Sequence, residues 1–319
     1  MLKKHCEFLL DPQTGEDLNI KIEKQIGDSI ITGSLISKSN CYPIINGIPR
    51  FVNLDGYSKN FGWQWKKWSK VQFESENKDS PMEGYTEDMF FKITNFEKKS
   101  IKNKLVLDLG CGSGRFLDIV NKYEGLLIAL DYTSAIDVAK LNIQNENILY
   151  IQGDALKLPI KTEVVDYVYS IGVLHHTPDP KKGIEQVYNV LKKEGVFAIS
   201  LYSENSLYTF FSVKIWRKIF NMLWPFFGSY PAFVYSKFFG TITYYLGKIH
   251  IYLTYPIRFF FPTAVLPDIK WSILDTFDKV TTSFQSGHSE KQVIFWFETL
   301  CFKNIRVGSW WPVNIIGKK

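Results

Sequence analysis

The sequence predicts an α/β fold with a doubly wound, mostly parallel sheet, joined to a small β-rich N-terminal module and a helical aromatic insertion. Three features of the chain predict it. Short apolar segments alternate with amphipathic ones between residues 104 and 202, a glycine-rich turn follows the first apolar segment, and acidic residues stand at the ends of successive segments. Strands that alternate with helices form a parallel sheet that the helices cover on both faces.

The elements of the predicted sheet follow in chain order. The first strand is Leu105–Leu109, and a glycine turn leads from it into a helix that begins near Arg115. Later strands are predicted at Leu126–Leu130, Ile148–Gln152, Tyr167–Ile171 and Val196–Tyr202, with an amphipathic helix at Lys181–Leu191. A helix at Ser289–Leu300, which opens on a capping box of Ser289 and Gln292, and strands at Asn304–Ser309 and Val313–Ile316 close the sheet.

The chain is long enough for one full-sized domain with appended parts, since it has 319 residues of which 45% are hydrophobic. We predict five parts: a β-rich module over 1–53, a helical lead-in over 54–100, a core over 101–202, an insertion over 203–288, and the last helix and strands over 289–319. The net charge of +6 is mild and does not require a nucleic-acid partner.

Neither a secretory leader nor a clean membrane span is expected from the hydrophobic pattern. The four cysteines are scattered and form no CxxC pair. This pattern favours free thiols in a reducing cytoplasm.

The glycine turn and three acids carry the strongest chemical signal. Asp108 lies two residues before the first glycine of a GxGxG run, Gly110, Gly112 and Gly114. Asp131 ends the second predicted strand, where an acid can accept hydrogen bonds from ribose hydroxyls, and Asp154 ends the third, where it can accept from an adenine amino group. A pyrophosphate would be repelled by Asp108, whereas an ammonium group would be attracted, so the pattern favours a nucleoside with a cationic amino-acid tail over a dinucleotide.

Three segments resemble class I S-adenosylmethionine (SAM) dependent methyltransferases, in the branch that includes ubiquinone and menaquinone methyltransferases. They are the glycine segment Leu107–Phe116 (LDLGCGSGRF), the adenine-type segment Gly153–Pro159 (GDALKLP), and the fourth-strand segment Asp166–Pro180 (DYVYSIGVLHHTPDP). The resemblance implies SAM as the cofactor. It assigns the three glycines to the methionine part, Asp131 to the ribose, Tyr132 to the adenine face, Asp154 and Ala155 to the adenine edge, and Ile171 and Gly172 to the neighbourhood of the sulfonium.

His175 and His176 follow the fourth predicted strand, at the rim where an acceptor would bind. An imidazole titrates near neutral pH, so either histidine is a candidate general base. Adjacent residues on a turn point in different directions, so we expect at most one of them to face the acceptor. Methyl transfer is an in-line displacement for which positioning supplies much of the rate, so no base beyond water is the alternative.

The N-terminal segment Tyr42–Phe51 (YPIINGIPRF) is similar to the end of a small zinc-ribbon fold of the tRNA-methyltransferase-activator type. Asp11 and Thr14 stand where that family usually has two cysteines, and Leu35 and Lys38 cannot replace the second pair. His5, Cys6 and Cys41 are too few for four-coordinate zinc. We therefore expect a degenerate ribbon without metal, packed against the catalytic domain. The following segment, Phe61–Trp65, is predicted to anchor the core or to form a lid over the cofactor.

The insertion combines aromatic and basic residues. Tyr208–Phe261 contains twenty aromatic and six basic residues and no acid. The segment from Ser206 to Trp224 has a helical pattern, ended by Pro225, Gly228 and Pro231. It places Lys214, Arg217 and Lys218 on one face and Phe211, Ile215, Ile219 and Leu223 on another. The composition fits a cap over the acceptor pocket, with or without contact to an anionic membrane surface.

The sequence thus predicts SAM-dependent methyl transfer to a small or lipid-linked metabolite, such as a saccharide or a quinone-type ring. His288, in a motif that resembles one in the fused ribbon-methyltransferase family, is a candidate neighbour of the acceptor or a helix cap. A tRNA acceptor is one alternative, although no RNA-binding module is recognised and a nucleic-acid partner is not expected. A non-enzymatic SAM-binding protein is the other. The expected location is the cytoplasm, with peripheral attachment to the inner face of the membrane as an option.

Overall fold

The computed structural model describes residues 1–52, 59–204, 211–282, 284–309 and 313–319, and of residues 59–61 it describes the backbone alone. The predicted boundary at 53/54 and the predicted helix start at Ser206 lie outside these residues. In the described parts of the chain, no helix is long and apolar enough to cross a membrane.

The N-terminal part forms a four-stranded antiparallel sheet in the order β1-β2-β3-β4. Its strands are β1 (Asn19–Ile26), β2 (Ser29–Ile36), β3 (Cys41–Ile45) and β4 (Ile48–Pro49). Leu9, Ile30, Leu35 and Ile44 from this part are buried in the same hydrophobic cluster as residues of the larger sheet. The two sheets therefore share one core.

Asp11 is buried and accepts four hydrogen bonds. The donors are the Ser37 hydroxyl (2.6 Å), the Asn40 amide (2.9 Å), the Tyr42 hydroxyl (2.7 Å) and the Gln13 N–H (2.8 Å). Burial alone would raise the pKa of Asp11, but these hydrogen bonds hold it well below its usual range. One carboxylate thus ties together the turn at Gln13, the turn of residues 37–40 and strand β3.

No group of three or more metal-type side chains occurs among the residues that the structure describes. The absence of zinc stays a prediction, which elemental analysis of the purified protein would check. The identity of this part as a degenerate ribbon stays a prediction as well.

Two helices and a short helical turn lead from this module to the core: α1 (Lys59–Lys67), α2 (Tyr85–Thr94) and α3 (Lys98–Ile101). Trp63 stacks on Phe277 at 5.2 Å between ring centroids, within an aromatic cluster. Trp65 instead lies over the glycine turn, where a Cβ added to Gly112 would be 3.1 Å from the indole. Trp65 also packs against that aromatic cluster, and the role of a lid over the cofactor stays a prediction.

The core is a seven-stranded sheet in the order β10-β11-β9-β8-β5-β6-β7. β11 pairs antiparallel with β9 and with β10, and the other neighbouring strands pair in parallel. Its strands are β5 (Leu105–Leu109), β6 (Leu126–Asp131), β7 (Leu149–Gln152), β8 (Val165–Ile171), β9 (Leu191–Leu201), β10 (Lys303–Val307) and β11 (Val313–Lys318). The predicted fold class is confirmed. The chain order reverses at β5, between β6 and β8, and ligands of such sheets bind at that switch point, beyond the carboxyl ends of the strands.

The helices of the core are α4 (Arg115–Lys122), α5 (Ala135–Asn142), α6 (Pro180–Val190) and, after the insertion, α11 (Glu290–Thr299). Ser289 caps α11 as predicted, since its hydroxyl accepts from the Gln292 N–H at 3.3 Å. The reciprocal half of the predicted capping box is wrong. The Gln292 side chain bonds the His288 ring instead, at 3.0 Å.

The insertion is helical in its described parts: α7 (Phe211–Phe227), α8 (Tyr230–Ile249), α9 (Tyr255–Phe260) and α10 (Ile269–Thr281). The predicted break at Pro225 is wrong, because α7 continues through it to Phe227 and is followed by Gly228, whose φ of +58° suits a glycine. Pro231 lies in the first turn of α8, where a missing N–H costs nothing.

The predicted faces of α7 are also partly wrong. Arg217 is half-buried and donates from Nε to the Lys279 carbonyl at 2.7 Å, so it fixes α7 to α10. Phe211 and Ile215 are exposed, whereas Val213 and Phe220 are buried. Helical periodicity identified the helix, but it could not show which side α8 and α10 would cover.

Candidate active site

A cavity of about 210 Å³ opens at the switch point of the sheet, beyond β5, β6 and β8. Eight of the thirteen site residues predicted from the sequence line it: Gly110, Gly112, Asp131, Tyr132, Ala155, Ile171, Gly172 and His176. The other five, Asp108, Gly114, Asp154, His175 and His288, lie around it.

The glycine turn adopts a backbone that other residues rarely take. Gly110, Gly112 and Gly114 have φ of +87°, +54° and +94°. A Cβ at Gly110 would lie 2.3 Å from Val173 Cγ1, and one at Gly114, just before α4, would lie 3.1 Å from Ile143, which follows α5. Gly110 and Gly112 thus bring bare backbone to the cavity, while Gly114 allows close packing behind it.

Asp131 fixes this turn to the end of β6. Its Oδ2 accepts from the Gly112 N–H at 2.9 Å, and its Oδ1 accepts from the N–H and hydroxyl of Thr133 at 2.8 and 2.7 Å. A carboxylate oxygen has two lone pairs, so Oδ2 retains one for a ligand hydroxyl. Burial raises the pKa of Asp131, and the hydrogen bonds from Thr133 and Gly112 oppose that rise.

Asp108 is buried beneath the turn, 3% exposed, and its Oδ2 has no hydrogen-bond partner among the described residues. Burial raises its pKa to about 8, and nearby Asp131 adds to the rise, while Tyr169 and Arg115 oppose it. The buried Tyr169 hydroxyl is the neighbouring donor, and it too lacks a partner within hydrogen-bond distance in the described part of the chain, so Asp108 Oδ2 keeps capacity to accept from a ligand.

Of the three residues assigned to the adenine, two line the cavity and the third holds the turn beside it. Tyr132 and Ala155 line the cavity. Asp154 is half-buried, and its Oδ1 accepts from the Leu156 N–H at 2.8 Å, which holds the turn that carries Ala155.

Of the two histidines, only His176 lines the cavity. Its Nδ1 lies 2.9 Å from the Phe284 carbonyl, which can only accept, so the ring proton is on Nδ1 and Nε2 carries the lone pair. Burial lowers the pKa of His176 to about 4, so the ring is neutral at physiological pH.

His175 is fully buried and stacks on Tyr202 at 3.9 Å between ring centroids. Its Nδ1 accepts from the Tyr202 N–H at 3.3 Å. These contacts give His175 a packing position behind the cavity.

His288 does not line the cavity, and both of its ring nitrogens are engaged. Nε2 lies 2.7 Å from the Ser286 hydroxyl and Nδ1 lies 3.0 Å from Gln292 Oε1. The Ser286 N–H in turn donates to the His175 carbonyl at 2.9 Å. His288 therefore positions the loop that packs on the histidine pair, and it lies next to the cap of α11.

The lining also includes residues that the sequence analysis did not name as site residues. Among them are Gln64 of α1, Arg115 of α4, Tyr202 after β9, and Leu274, Asp275 and Asp278 of α10. Gln64 Nε2 donates to Asp278 Oδ1 at 3.2 Å, and the Tyr202 hydroxyl lies 3.5 Å from Asp278 Oδ2. Burial raises the pKa of Asp278, opposed by Gln64 and Arg217. The sequence signal for Asp275 and Asp278 was a pair of acids three residues apart, a spacing that puts both on one face of a helix.

Residues 107–199 match the methyltransferase domain family. The ubiquinone biosynthesis O-methyltransferase of Coxiella burnetii is 28% identical over 127 residues, which are 39% of this chain and 54% of that protein. The chloroplastic 2-methyl-6-phytyl-1,4-hydroquinone methyltransferase of Spinacia oleracea is 32% identical over 114 residues, 35% of this chain and 33% of that one. The chain therefore contains a class I SAM-dependent methyltransferase domain, and it spans about half the length of the first of these relatives.

Solved structures with partial similarity include a chain of the complex between the Haloferax volcanii Trm112 methyltransferase activator and a methyltransferase. It is 22% identical, with a TM-score of 0.39, and the match covers 47% of this chain and 64% of that one. A SAM-dependent methyltransferase from Mesorhizobium loti is 21% identical, with a TM-score of 0.34, over 41% of this chain and 56% of its own.

The cavity fits SAM, the cofactor of this domain. Bare backbone at Gly110 and Gly112 suits close approach of the methionine part, the unpartnered Asp108 oxygen suits an ammonium group, and Asp131 suits a ribose diol. SAM supplies an electrophilic methyl group on a sulfonium. The protein's contribution is to hold it, exclude water and align an acceptor with the methyl group.

We predict that SAM affinity rises with pH between 6 and 7.5. Asp108, with its pKa at about 8, is largely protonated at pH 6, and a cationic ammonium favours the carboxylate, so binding releases a proton. The affinity should rise up to tenfold per pH unit, below the pH at which an α-amino group loses its own proton. Titration calorimetry between pH 6 and 7.5 measures the SAM affinity, and the Asp108→Asn substitution should remove its dependence on pH. A flat profile in the wild-type protein would contradict the assignment of Asp108.

Proposed function

We propose that the chain transfers a methyl group from SAM to a hydroxyl-bearing small or lipid-linked acceptor that binds between the glycine turn and α10. One observation carries the proposal: a single cavity is lined by the glycine turn, Asp131 and Tyr132 on one side and by Asp275 and Asp278 on the other. The first set matches the cofactor side of the domain. The second set leaves a polar wall for an acceptor.

The chemistry of that wall supports a hydroxyl-bearing acceptor, such as a saccharide or the reduced form of a quinone-type ring. Carboxylates accept hydrogen bonds from hydroxyl groups, and Asp275 and Asp278 lie about one turn apart on α10. A carboxyl with a raised pKa is a stronger base than an ordinary aspartate, so Asp278 is suited to take the hydroxyl proton. His176, with its pKa lowered to about 4, is a weaker base and fits acceptor positioning better.

The names of the two relatives support the quinone-type option. One is an O-methyltransferase of ubiquinone biosynthesis, and the other is named for a hydroquinone.

Mass spectrometry of extracts tests the proposal. Metabolites from cells that express the wild-type chain should include a species 14 daltons (one CH₂) heavier than its counterpart in cells that express Asp131→Ala, a variant designed to lose the cofactor. A methylated metabolite would identify the acceptor. Methylation found on tRNA alone, or no difference between the two extracts, would contradict the proposal.

We also propose that the insertion contacts an anionic membrane surface. Apolar side chains are widely exposed on α7, α8 and α9, with Phe226 78% and Phe211 and Ile249 74% exposed. Lys214, Lys218 and Lys237 are exposed on the same helices, and Tyr208–Phe261 contains no acid. Exposed aromatic groups next to unopposed cations are typical of surfaces that bind the interface of anionic bilayers. Trp216, by contrast, is half-buried and donates to the Phe260 carbonyl at 2.8 Å, so it belongs to the packing of the cap.

Vesicle flotation provides the measurement. The wild-type protein should float with vesicles that contain anionic lipid and much less with neutral ones, and binding should weaken as salt is added. Reversing Lys214 and Lys218 to Glu should remove at least about 2 kcal/mol, roughly thirtyfold in binding, at about 1 kcal/mol per lysine. The matched control reverses Lys21 and Lys24, which are exposed on β1. Equal flotation of both variants would show that the insertion serves only as a cap.

A further inference from the structure

A second cavity, of about 340 Å³, lies within the insertion and outside the active-site cavity. It is formed by Ser212 of α7, Tyr255, Arg258 and Phe259 of α9, Thr263 in the loop that follows, and Lys279 of α10. None of the residues described as lining it is acidic. A cavity with two cations and no acid is a candidate for an anion.

The charges of Arg258 and Lys279 repel each other, and burial adds to the cost of the Lys279 charge. Lys279 is buried, and its ammonium donates to the Thr263 carbonyl at 3.1 Å. Burial lowers the pKa of Lys279, and the charge of Arg258 lowers it further, while Asp275 and Asp278 oppose the shift. Arg258 is half-buried, and no carboxylate in the described part of the chain lies within ion-pair distance of its guanidinium. An anion between Arg258 and Lys279 would relieve their repulsion.

Two hydroxyl groups add hydrogen-bonding capacity at the same place. Ser212 Oγ and Thr263 Oγ1 are buried and have no hydrogen-bond partner among the described residues. Buried hydroxyl groups are usually paired, so two unpaired ones in one cavity point to a ligand that accepts hydrogen bonds. A guanidinium, an ammonium and two hydroxyls together supply many donors, and the ligand must offer several acceptor oxygens.

The position of the cavity restricts the source of such a ligand. Tyr255 and Phe259, which line it, are about half exposed and stand beside Phe260 and Tyr252, which are also exposed. An anion in the cavity would therefore lie at the edge of the aromatic surface that we propose to face the membrane.

We propose that this second cavity binds a phosphate or phosphate-monoester group, through Arg258 and Lys279 as cations and Ser212 and Thr263 as hydroxyl donors. Such a group carries a charge close to −2 and three acceptor oxygens, which match two cations and two hydroxyls. The same chemistry is offered by the headgroup of phosphatidic acid and by free phosphate. The site does not depend on the proposed methyl transfer.

Titration of the full chain tests the site in two arms. The first uses inorganic phosphate, with chloride at equal ionic strength as reference. The second uses vesicles of phosphatidylcholine with phosphatidic acid, with phosphatidylglycerol in place of phosphatidic acid as reference. Arg258→Gln should weaken binding at least tenfold, because it removes a charge-assisted and bidentate donor. Lys21→Gln, which removes one exposed charge from β1, outside the insertion and the cavity, should change binding less than twofold.

The two arms separate the sources. An Arg258-dependent response to phosphatidic acid alone would identify a lipid headgroup, and a response to inorganic phosphate would identify a site that also takes the free ion. No response in either arm, or equal loss in Arg258→Gln and Lys21→Gln, would overturn the proposal. Binding of SAM should be the same in Arg258→Gln and wild type, so failure of this site leaves the cofactor site unaffected.

Discussion

The Asp11→Ala variant is expected to lose about 3–5 kcal/mol of unfolding free energy, a large share of the stability of an ordinary domain. The substitution removes the acceptor of four hydrogen bonds and leaves the buried Ser37 and Tyr42 hydroxyls without it. Each buried donor left unpaired costs about 1–3 kcal/mol. Because the N-terminal sheet shares its core with the larger sheet, the loss should appear in the unfolding of the whole protein.

Denaturant unfolding measures this loss, and Asp28→Ala, at an exposed position in the β1–β2 turn, is the matched control. The control should change stability by less than about 0.5 kcal/mol. The pH dependence has a definite sign. The folded-state pKa of Asp11 lies below its unfolded value near 3.9, so its contribution is complete above about pH 5 and is lost as the pH falls further. Equal stabilities of Asp11→Ala and Asp28→Ala would contradict the role of Asp11 as the centre of the module.

The Asp131→Ala variant is expected to bind SAM about ten- to a hundredfold more weakly than wild type, or about 1.5–3 kcal/mol. The substitution removes the acceptor for the ribose and also the bond that holds the Gly112 N–H at 2.9 Å. Asp131→Asn keeps one acceptor oxygen, so its affinity for SAM should lie between those of wild type and Asp131→Ala. Titration calorimetry compares the three proteins, with Asp28→Ala as a fold control. Unchanged affinity in Asp131→Ala would contradict the assignment of this carboxylate.

The fold and the cofactor side of the site were predictable because both depend on local sequence. Strands such as β5 and β6 are short apolar runs, and the positive φ of Gly110 and Gly114 explains why glycine occurs there. Asp131 follows its strand directly, so the strand prediction also placed its carboxylate at the switch point of the sheet.

The acceptor side was not predictable, because it depends on long-range packing. Asp275 and Asp278 reach the cavity only because α10, within the insertion, folds back to the switch point of the sheet, and Gln64 reaches Asp278 from 214 residues away in the chain. The prediction of which faces of α7 are exposed was partly wrong for the same reason. Periodicity showed an amphipathic helix, but Arg217 is held by the Lys279 carbonyl rather than facing solvent with Lys214.

Asp11 shows a further limit of sequence patterns. Its position in place of a ligand cysteine predicted the loss of a metal site, but not that Ser37, Asn40 and Tyr42 would converge on the carboxylate. Those donors lie on a different turn and strand from Asp11, and only the folded antiparallel sheet brings them together.

The most direct test of the central claim is titration calorimetry of the full chain with SAM and, in parallel, with NADH. The geometry predicts saturable binding of SAM and none of NADH, because the buried carboxyl of Asp108 beneath the glycine turn favours an ammonium group and disfavours a pyrophosphate. Binding of NADH with no detectable binding of SAM would contradict the account.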